Sequence, residues 1–98
     1  LAYFLDGKVS ALLGTHTHVA TADARVLPKG TGFQSDVGMT GPLHSSLGVK
    51  VENVIESFLT QLPFKHEVAD SPVVWNSTLV EVENGLCKAI TPLSMVLP

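Results

Sequence analysis

Short apolar runs alternate with polar loops in the first half of this 98-residue chain. Residues 1–6 resemble the last turns of a helix that ends before Gly7. The continuous apolar run Val9–Gly14 predicts a strand covered on both faces, as in a parallel or mixed inner sheet. A second short strand is predicted at Thr31–Ser35, and residues 15–32 are expected to form a long loop before it.

A helix is the clearest prediction in the second half, at Lys50–Leu62. Its apolar residues fall at i, i+3, i+4, i+7, i+8 and i+11 and form one stripe. These residues are Val51, Val54, Ile55, Phe58, Leu59 and Leu62. Polar residues opposite the stripe predict a solvated face, and Pro63 ends the pattern. Glycines and a proline between Asp36 and Gly48 predict irregular backbone before the helix.

A β-hairpin is predicted at Val73–Ile90. Asn84-Gly85 is the favoured pair for a two-residue type I′ turn. The resulting register sets Glu81 against Lys88 and places Cys87 on the apolar face, as an inert core residue. The elements together predict an α/β fold.

Two segments beside the hairpin are less regular. Residues 64–69 alternate, with Phe64, His66 and Val68 on one face, which predicts an edge strand. Residues 91–98 carry a proline near each end and are expected to form a tail.

The composition excludes several classes of function. With 45% hydrophobic and 15% charged residues, the chain fits one globular α/β piece. A net charge of −3 without a basic cluster gives no footprint for long nucleic acid, and no apolar run is long enough to span a membrane. The single cysteine, Cys87, leaves no intrachain disulfide, so a cytoplasmic location is the default expectation.

Two histidines carry the most specific chemistry. His16 and His18 follow the first predicted strand and Gly14, where α/β enzymes often place their ligands. Neutral imidazole is a common metal ligand. If the backbone is extended here, alternate side chains share a face, and each ring reaches a different ion of a closely spaced pair.

Two blocks of sequence extend this hypothesis. They are Gly14-Thr-His-Thr-His-Val19 with the following Thr21 to Asp23, and Asp36-Val-Gly-Met-Thr-Gly-Pro42 with Ser45 and Gly48. In order and spacing they closely resemble the YmdB-type bacterial metallophosphoesterases, a branch of the calcineurin-like superfamily that hydrolyses phosphodiesters such as 2′,3′-cyclic nucleotides. The similarity continues more loosely to about Ile90.

The resemblance implies a fold, an activity and a metal centre. Residues 1–98 would form the C-terminal portion of a single metallophosphoesterase domain, part of a sandwich of two mixed sheets flanked by helices. Two divalent metal ions would be bound, with iron or manganese as the expected metals and zinc or magnesium as the alternatives. His16 would bind the second metal and His18 the first. The remaining ligands and the general acid would lie upstream of Leu1. The substrate would be a small phosphodiester and the enzyme a homo-oligomer.

Five further residues are weaker candidates for the site. Thr40 and Gly41 are candidates for substrate or phosphate contact, because glycines near a threonine hydroxyl expose backbone N–H groups. His44 is a candidate because it follows Gly41-Pro42, where it could face the crevice. A tight loop that needs glycine is the alternative. Asp23 and Asp36 are candidates for orienting the metal ligands without binding the metal themselves. For Asp23, an ordinary loop cap is an equal alternative.

Two other functions remain open from the sequence. Two histidines cannot complete a binuclear centre, because each ion takes about four to six donors. One alternative is therefore a catalytically silent structural or interaction fragment. The other is a mononuclear module in which a single zinc is held by His16, His18 and a nearby carboxylate such as Asp36.

Overall fold

The fold is mixed α/β, as predicted, and a computed structural model describes all 98 residues. The elements in chain order are α1 Ala2–Leu5, β1 Ala11–Leu13, β2 Arg25–Val26, β3 Gly32–Gln34, β4 Gly41–Pro42, α2 Val51–Thr60, β5 Val73–Glu83 and β6 Leu86–Leu97. The predicted helix end is confirmed, because α1 stops before Gly7, whose φ is +82°. No helix of the chain is long and apolar enough to cross a membrane.

The first sheet is mixed and has the strand order β1-β3-β2. β1 and β3 are parallel, with Leu12 opposite Phe33, whereas β2 and β3 are antiparallel. Both predicted strands are therefore confirmed, but β1 is not covered on both faces, because Ala11 and Leu12 are half-buried and Leu13 is exposed. The predicted loop also contains β2, which has only two residues and no apolar run to mark it. In the turn after β2, the Gly30 amide donates to the Leu27 carbonyl at 2.9 Å. This turn lets β3 run back alongside β2.

The second sheet contains the predicted hairpin, with the strand order β4-β5-β6. Asn84 and Gly85 have φ values of +53° and +79°, as a type I′ turn requires. Lys88 forms its ion pair with Glu83, at 3.8 Å, and not with Glu81. The predicted tail is wrong, because β6 continues to Leu97. Prolines are tolerated on an edge strand, and β6 is one.

The predicted faces of helix α2 are confirmed only in part, because Val54 of the apolar stripe is half-buried and Glu52 and Glu56 of the polar side are exposed, whereas other residues depart from the prediction. Phe58 and Leu59 in the apolar stripe are each 80% exposed. Asn53 and Ser57 on the polar side are half-buried. The Asn53 amide donates to the Lys65 carbonyl at 3.2 Å, and the Ser57 hydroxyl contacts the following loop in the same way. Hydrogen bonding to the segment after the helix therefore covers part of the polar side within this part of the chain.

Residues 64–69 form no strand, so the edge-strand prediction for His66 is wrong. The only pairing here is an isolated bridge between Val49 and Val68. Phe64 and His66 do lie on one face, where their rings stack with centroids 4.6 Å apart. An alternating pattern does not by itself specify a strand, because a strand also needs a partner strand along its length.

The chain divides into two compact units, residues 1–39 with 76–94 and residues 40–75 with 95–98. In the first unit, Cys87 is buried, as predicted, and its amide donates to the Gly30 carbonyl at 2.7 Å. The fully buried side chains of this unit are polar, Thr31 and Gln34. Its interior is therefore held together largely by hydrogen bonds.

Candidate metal centre

The histidine segment leaves the first sheet at Gly14, directly after β1. The Gly14 amide donates to the Gln34 carbonyl at 3.0 Å, and its carbonyl accepts from the Val37 amide at 2.9 Å. A Cβ at position 14 would lie 2.0 Å from the Ser35 carbonyl oxygen, closer than any side chain allows. Glycine is therefore required here, because two backbone segments meet where both strands end.

His16 to Val19 form a bend and not an extended strand. The Thr17 hydroxyl accepts from the Val19 amide at 3.3 Å, and His18 has a φ of +68°. The predicted strand-like alternation of the two histidines is therefore wrong. Left-handed backbone at a residue other than glycine persists where surrounding contacts enforce it, often at functional sites.

Both imidazoles are accessible. His16 and His18 are exposed, and neither ring makes a hydrogen bond or ion pair within the chain. No group of three histidine, cysteine, aspartate or glutamate side chains is brought together in the chain. The segment therefore offers two free nitrogen donors.

The side chain of Asp36 holds this bend in place through hydrogen bonds. Its side chain is buried, and Oδ2 accepts both from the Thr17 amide at 2.6 Å and from the Thr17 hydroxyl at 2.7 Å. Oδ1 accepts from the Gly38 amide at 2.8 Å. The Thr17 hydroxyl, and next the Gly38 amide, hold the pKa of Asp36 below its usual range. The ionised Asp36 carboxylate thus bonds to Thr17, the residue that separates the two histidines.

The Asp36 backbone holds the far end of the same segment. Its amide donates to the Thr21 hydroxyl and its carbonyl accepts from the Thr21 amide, each at 3.0 Å. The buried Gln34 amide group donates to the Asp36 carbonyl at 3.1 Å, while its oxygen accepts from the Thr78 hydroxyl at 2.6 Å. The segment is therefore connected through Gln34 to β5.

Asp23 lies beside this network and contacts neither histidine. It accepts from the Thr21 hydroxyl at 2.6 Å, from the Ser35 amide at 3.1 Å and from the Ser35 hydroxyl. These bonds, with the Ser35 hydroxyl first, lower the pKa of Asp23 to about 2. Its contacts are those of a carboxylate that ties two loops together.

The other candidates belong to the second unit. Thr40 is exposed and precedes Gly41, which pairs with Val74. His44 is exposed, and its amide donates to the Ser71 hydroxyl at 3.1 Å. The candidates thus fall into two groups, with the histidine pair and both aspartates in the first unit.

Sequence reasoning missed three residues that shape the site, Thr17, Thr21 and Gln34. Thr17 offered a signal, since a hydroxyl between two histidines is suited to fixing a bend through its own backbone. Gln34 offered no such signal, because the strand around it, Thr31-Gly-Phe-Gln-Ser35, is itself mostly polar. Their distant partners, 13 to 44 positions away in sequence, left no mark on the local pattern.

Comparison with known proteins adds independent information. A family model described as YmdB-like protein matches residues 1–93. A 2′,3′-cyclic-nucleotide 2′-phosphodiesterase of Bacillus subtilis strain 168 is 43% identical over 90 residues, which are 92% of this chain and 34% of that protein. A putative phosphatase/phosphodiesterase of Mycoplasma pneumoniae is 38% identical over 86 residues, 87% of this chain and 31% of that protein.

Two solved structures are also similar to this chain. A hypothetical protein from Thermus thermophilus is 46% identical, with a TM-score of 0.92, over 99% of this chain and 38% of its own. A phosphatase from Mycoplasma pneumoniae is 32% identical, with a TM-score of 0.91, over 98% of this chain and 35% of its own. The chain thus spans about a third of the length of the proteins it matches.

Proposed function

Because this chain belongs to the YmdB-like family, we propose that it contributes to the metal-dependent hydrolysis of phosphodiesters, with His16 and His18 as metal ligands. The observation that carries the proposal is the pair of exposed, unpartnered imidazoles on either side of an anchored Thr17. Both rings are thus accessible as ligands on a segment whose backbone is held in place.

The names of the relatives support the reaction class. The Bacillus subtilis relative is named as a 2′,3′-cyclic-nucleotide 2′-phosphodiesterase and the Mycoplasma pneumoniae relative as a putative phosphatase/phosphodiesterase. Hydrolysis of a phosphoester is common to these names. We take 2′,3′-cyclic nucleotides as the first substrates to test.

The residues present fit part of a binuclear centre. His16 and His18 each offer a ring nitrogen, and the other ligands would come from residues beyond these 98, since each ion takes about four to six donors. A pair of divalent ions, for which iron and manganese are the first candidates, would polarise the phosphoryl oxygens and lower the pKa of bound water. A single zinc on the two histidines and Asp36 is less well supported, because both Asp36 oxygens already accept hydrogen bonds.

The role of this chain is to hold and orient ligands. His18 has left-handed backbone, so the direction of its Cα–Cβ bond is set by the bend and not by a strand. Thr17 joins that bend to the buried Asp36. The backbone that carries the two imidazoles is therefore fixed in advance, and such preorganisation favours binding.

Substitution of the two histidines tests the proposal. In the full natural chain with Mn²⁺, we expect His16→Ala and His18→Ala each to lower hydrolysis of a 2′,3′-cyclic nucleotide at least about 100-fold and to lower the Mn²⁺ content. Loss of a ligand removes charge stabilisation from the transition state.

His66→Ala is the matched control, because that ring stacks on Phe64 in the second unit. We expect its activity to stay within about twofold of the unsubstituted protein. Retained turnover and Mn²⁺ content in both His16→Ala and His18→Ala would contradict the proposal.

A further inference from the structure

We propose that Asp36 is a positioning residue for the two histidines, acting through Thr17. The proposal rests on the function proposed above and adds the residue that fixes its ligands. Asp36 is 3% exposed and belongs to a different loop, 19 positions along the chain from Thr17.

The contacts are concentrated on one residue. Oδ2 of Asp36 accepts from both the amide and the hydroxyl of Thr17, at 2.6 Å and 2.7 Å. Two donors from a single residue to one oxygen fix both the position and the rotation of that residue. Because His16 and His18 are its immediate neighbours, this fixes the backbone from which both imidazoles project.

The other bonds of Asp36 keep the anchor itself in place. Oδ1 accepts from the Gly38 amide at 2.8 Å, and the Asp36 backbone exchanges hydrogen bonds with Thr21. Charge-assisted hydrogen bonds to a buried carboxylate are stronger than neutral ones. Left-handed backbone at His18 is the conformation that such an anchor has to maintain.

This arrangement predicts a defect in metal binding that more metal corrects. Calorimetry with Mn²⁺ alone, on the full natural chain, should show Asp36→Asn weakening binding by about 10- to 100-fold, as other supporting residues of metal ligands do. Hydrolysis should return toward its normal kcat at saturating Mn²⁺, since the ligands themselves remain. Hydrogen exchange of the Thr17 amide should be faster in this variant.

Two Thr17 variants test the same link without touching the carboxylate. Thr17→Val removes the hydroxyl at nearly constant shape and should weaken Mn²⁺ binding several-fold, whereas Thr17→Ser restores the hydroxyl and should restore binding. In the Asp36→Asn background, Thr17→Val should weaken Mn²⁺ binding by a smaller factor than it does in the unsubstituted protein, because the two residues act through one contact. If Asp36→Asn does not fold, the Thr17 pair decides the question.

Asp6→Asn is the matched control for general loosening of this unit. Asp6 is also buried, at 6% exposure, and accepts from the Lys29 and Thr31 amides at 2.9 Å and 3.3 Å. We expect it to leave Mn²⁺ affinity within about threefold. Equal losses in Asp6→Asn and Asp36→Asn, or unchanged binding and exchange in Asp36→Asn, would overturn the positioning role.

The two proposals fail in different ways. If His16→Ala and His18→Ala leave Mn²⁺ binding unchanged, the proposed function fails and the positioning role fails with it. If those substitutions abolish binding while Asp36→Asn and Thr17→Val bind normally, only the positioning role is overturned.

Discussion

At the scale of single residues, two carboxylates stabilise the loops around the candidate site. Asp23 connects Thr21 to Ser35, and Asp36 connects Thr17 to Gly38. Each accepts at least one backbone N–H, and these groups would lose their partner if the carboxylate were removed. Both carboxylates have pKa values below the ordinary range, so the folded state favours their ionised forms.

The pKa of Asp23 predicts how stability depends on pH. Its value falls from 3.8 to about 2 in the folded protein, because the Ser35 hydroxyl and then the Thr21 hydroxyl favour the carboxylate. A depressed pKa contributes stability above pH 3.8, and that contribution is lost as the pH falls to about 2. The difference in urea midpoint between the unsubstituted protein and Asp23→Asn should therefore shrink through this window. Parallel pH profiles, or an NMR titration of Asp23 near 3.8, would contradict this prediction.

The residues of the site differ in how visible they are in the sequence. His16 and His18 are visible because their residue type and position after a strand indicate metal binding. Thr17 and Gln34 are not, because their roles depend on hydrogen bonds to distant parts of the chain. The conformation of the bend escapes prediction for the same reason, since Asp36 imposes it from another loop.

At the scale of elements, prediction succeeds where the determinant is local. The Asn84-Gly85 turn and the termination of α1 before Gly7 each depend on left-handed backbone at one or two residues. The orientation of α2 does not follow from its own stripe, because Asn53 bonds to the segment that follows the helix. The extension of β6 to Leu97 depends on the partner strand, which no property of residues 91–98 reveals.

The hairpin turn should be sensitive to side-chain shape and insensitive to charge. Asn84 has a φ of +53°, which a β-branched residue adopts poorly, so Asn84→Val should destabilise the full natural chain by about 1–2 kcal/mol. Glu83→Gln removes an exposed ion pair of 3.8 Å and should change stability by less than about 0.5 kcal/mol. Urea unfolding measures both. An equal or larger loss in Glu83→Gln would mean that the ion pair, and not the turn, fixes the hairpin.

At the scale of the whole molecule, the chain buries few apolar side chains. Only Leu27 and Cys87 are buried among its hydrophobic residues, and the fully buried side chains are polar. Large apolar residues stay exposed in both units, among them Tyr3 and Phe4 at 69% and Phe58 at 80%. The cytoplasmic location and the homo-oligomer expected from the sequence stay predictions.

This exposure predicts the behaviour of the 98 residues produced on their own. Burial of apolar surface is the dominant favourable term in folding, and two buried hydrophobic side chains supply little of it. We expect this chain alone to bind a hydrophobic dye strongly and to unfold over a broad range of urea. Phe58→Ser with Leu59→Ser should lower the dye signal, because both side chains are 80% exposed, whereas Cys87→Ser should not. Sharp two-state unfolding without dye binding would show that the hydrogen-bonded network around Gln34 is sufficient to hold the fold.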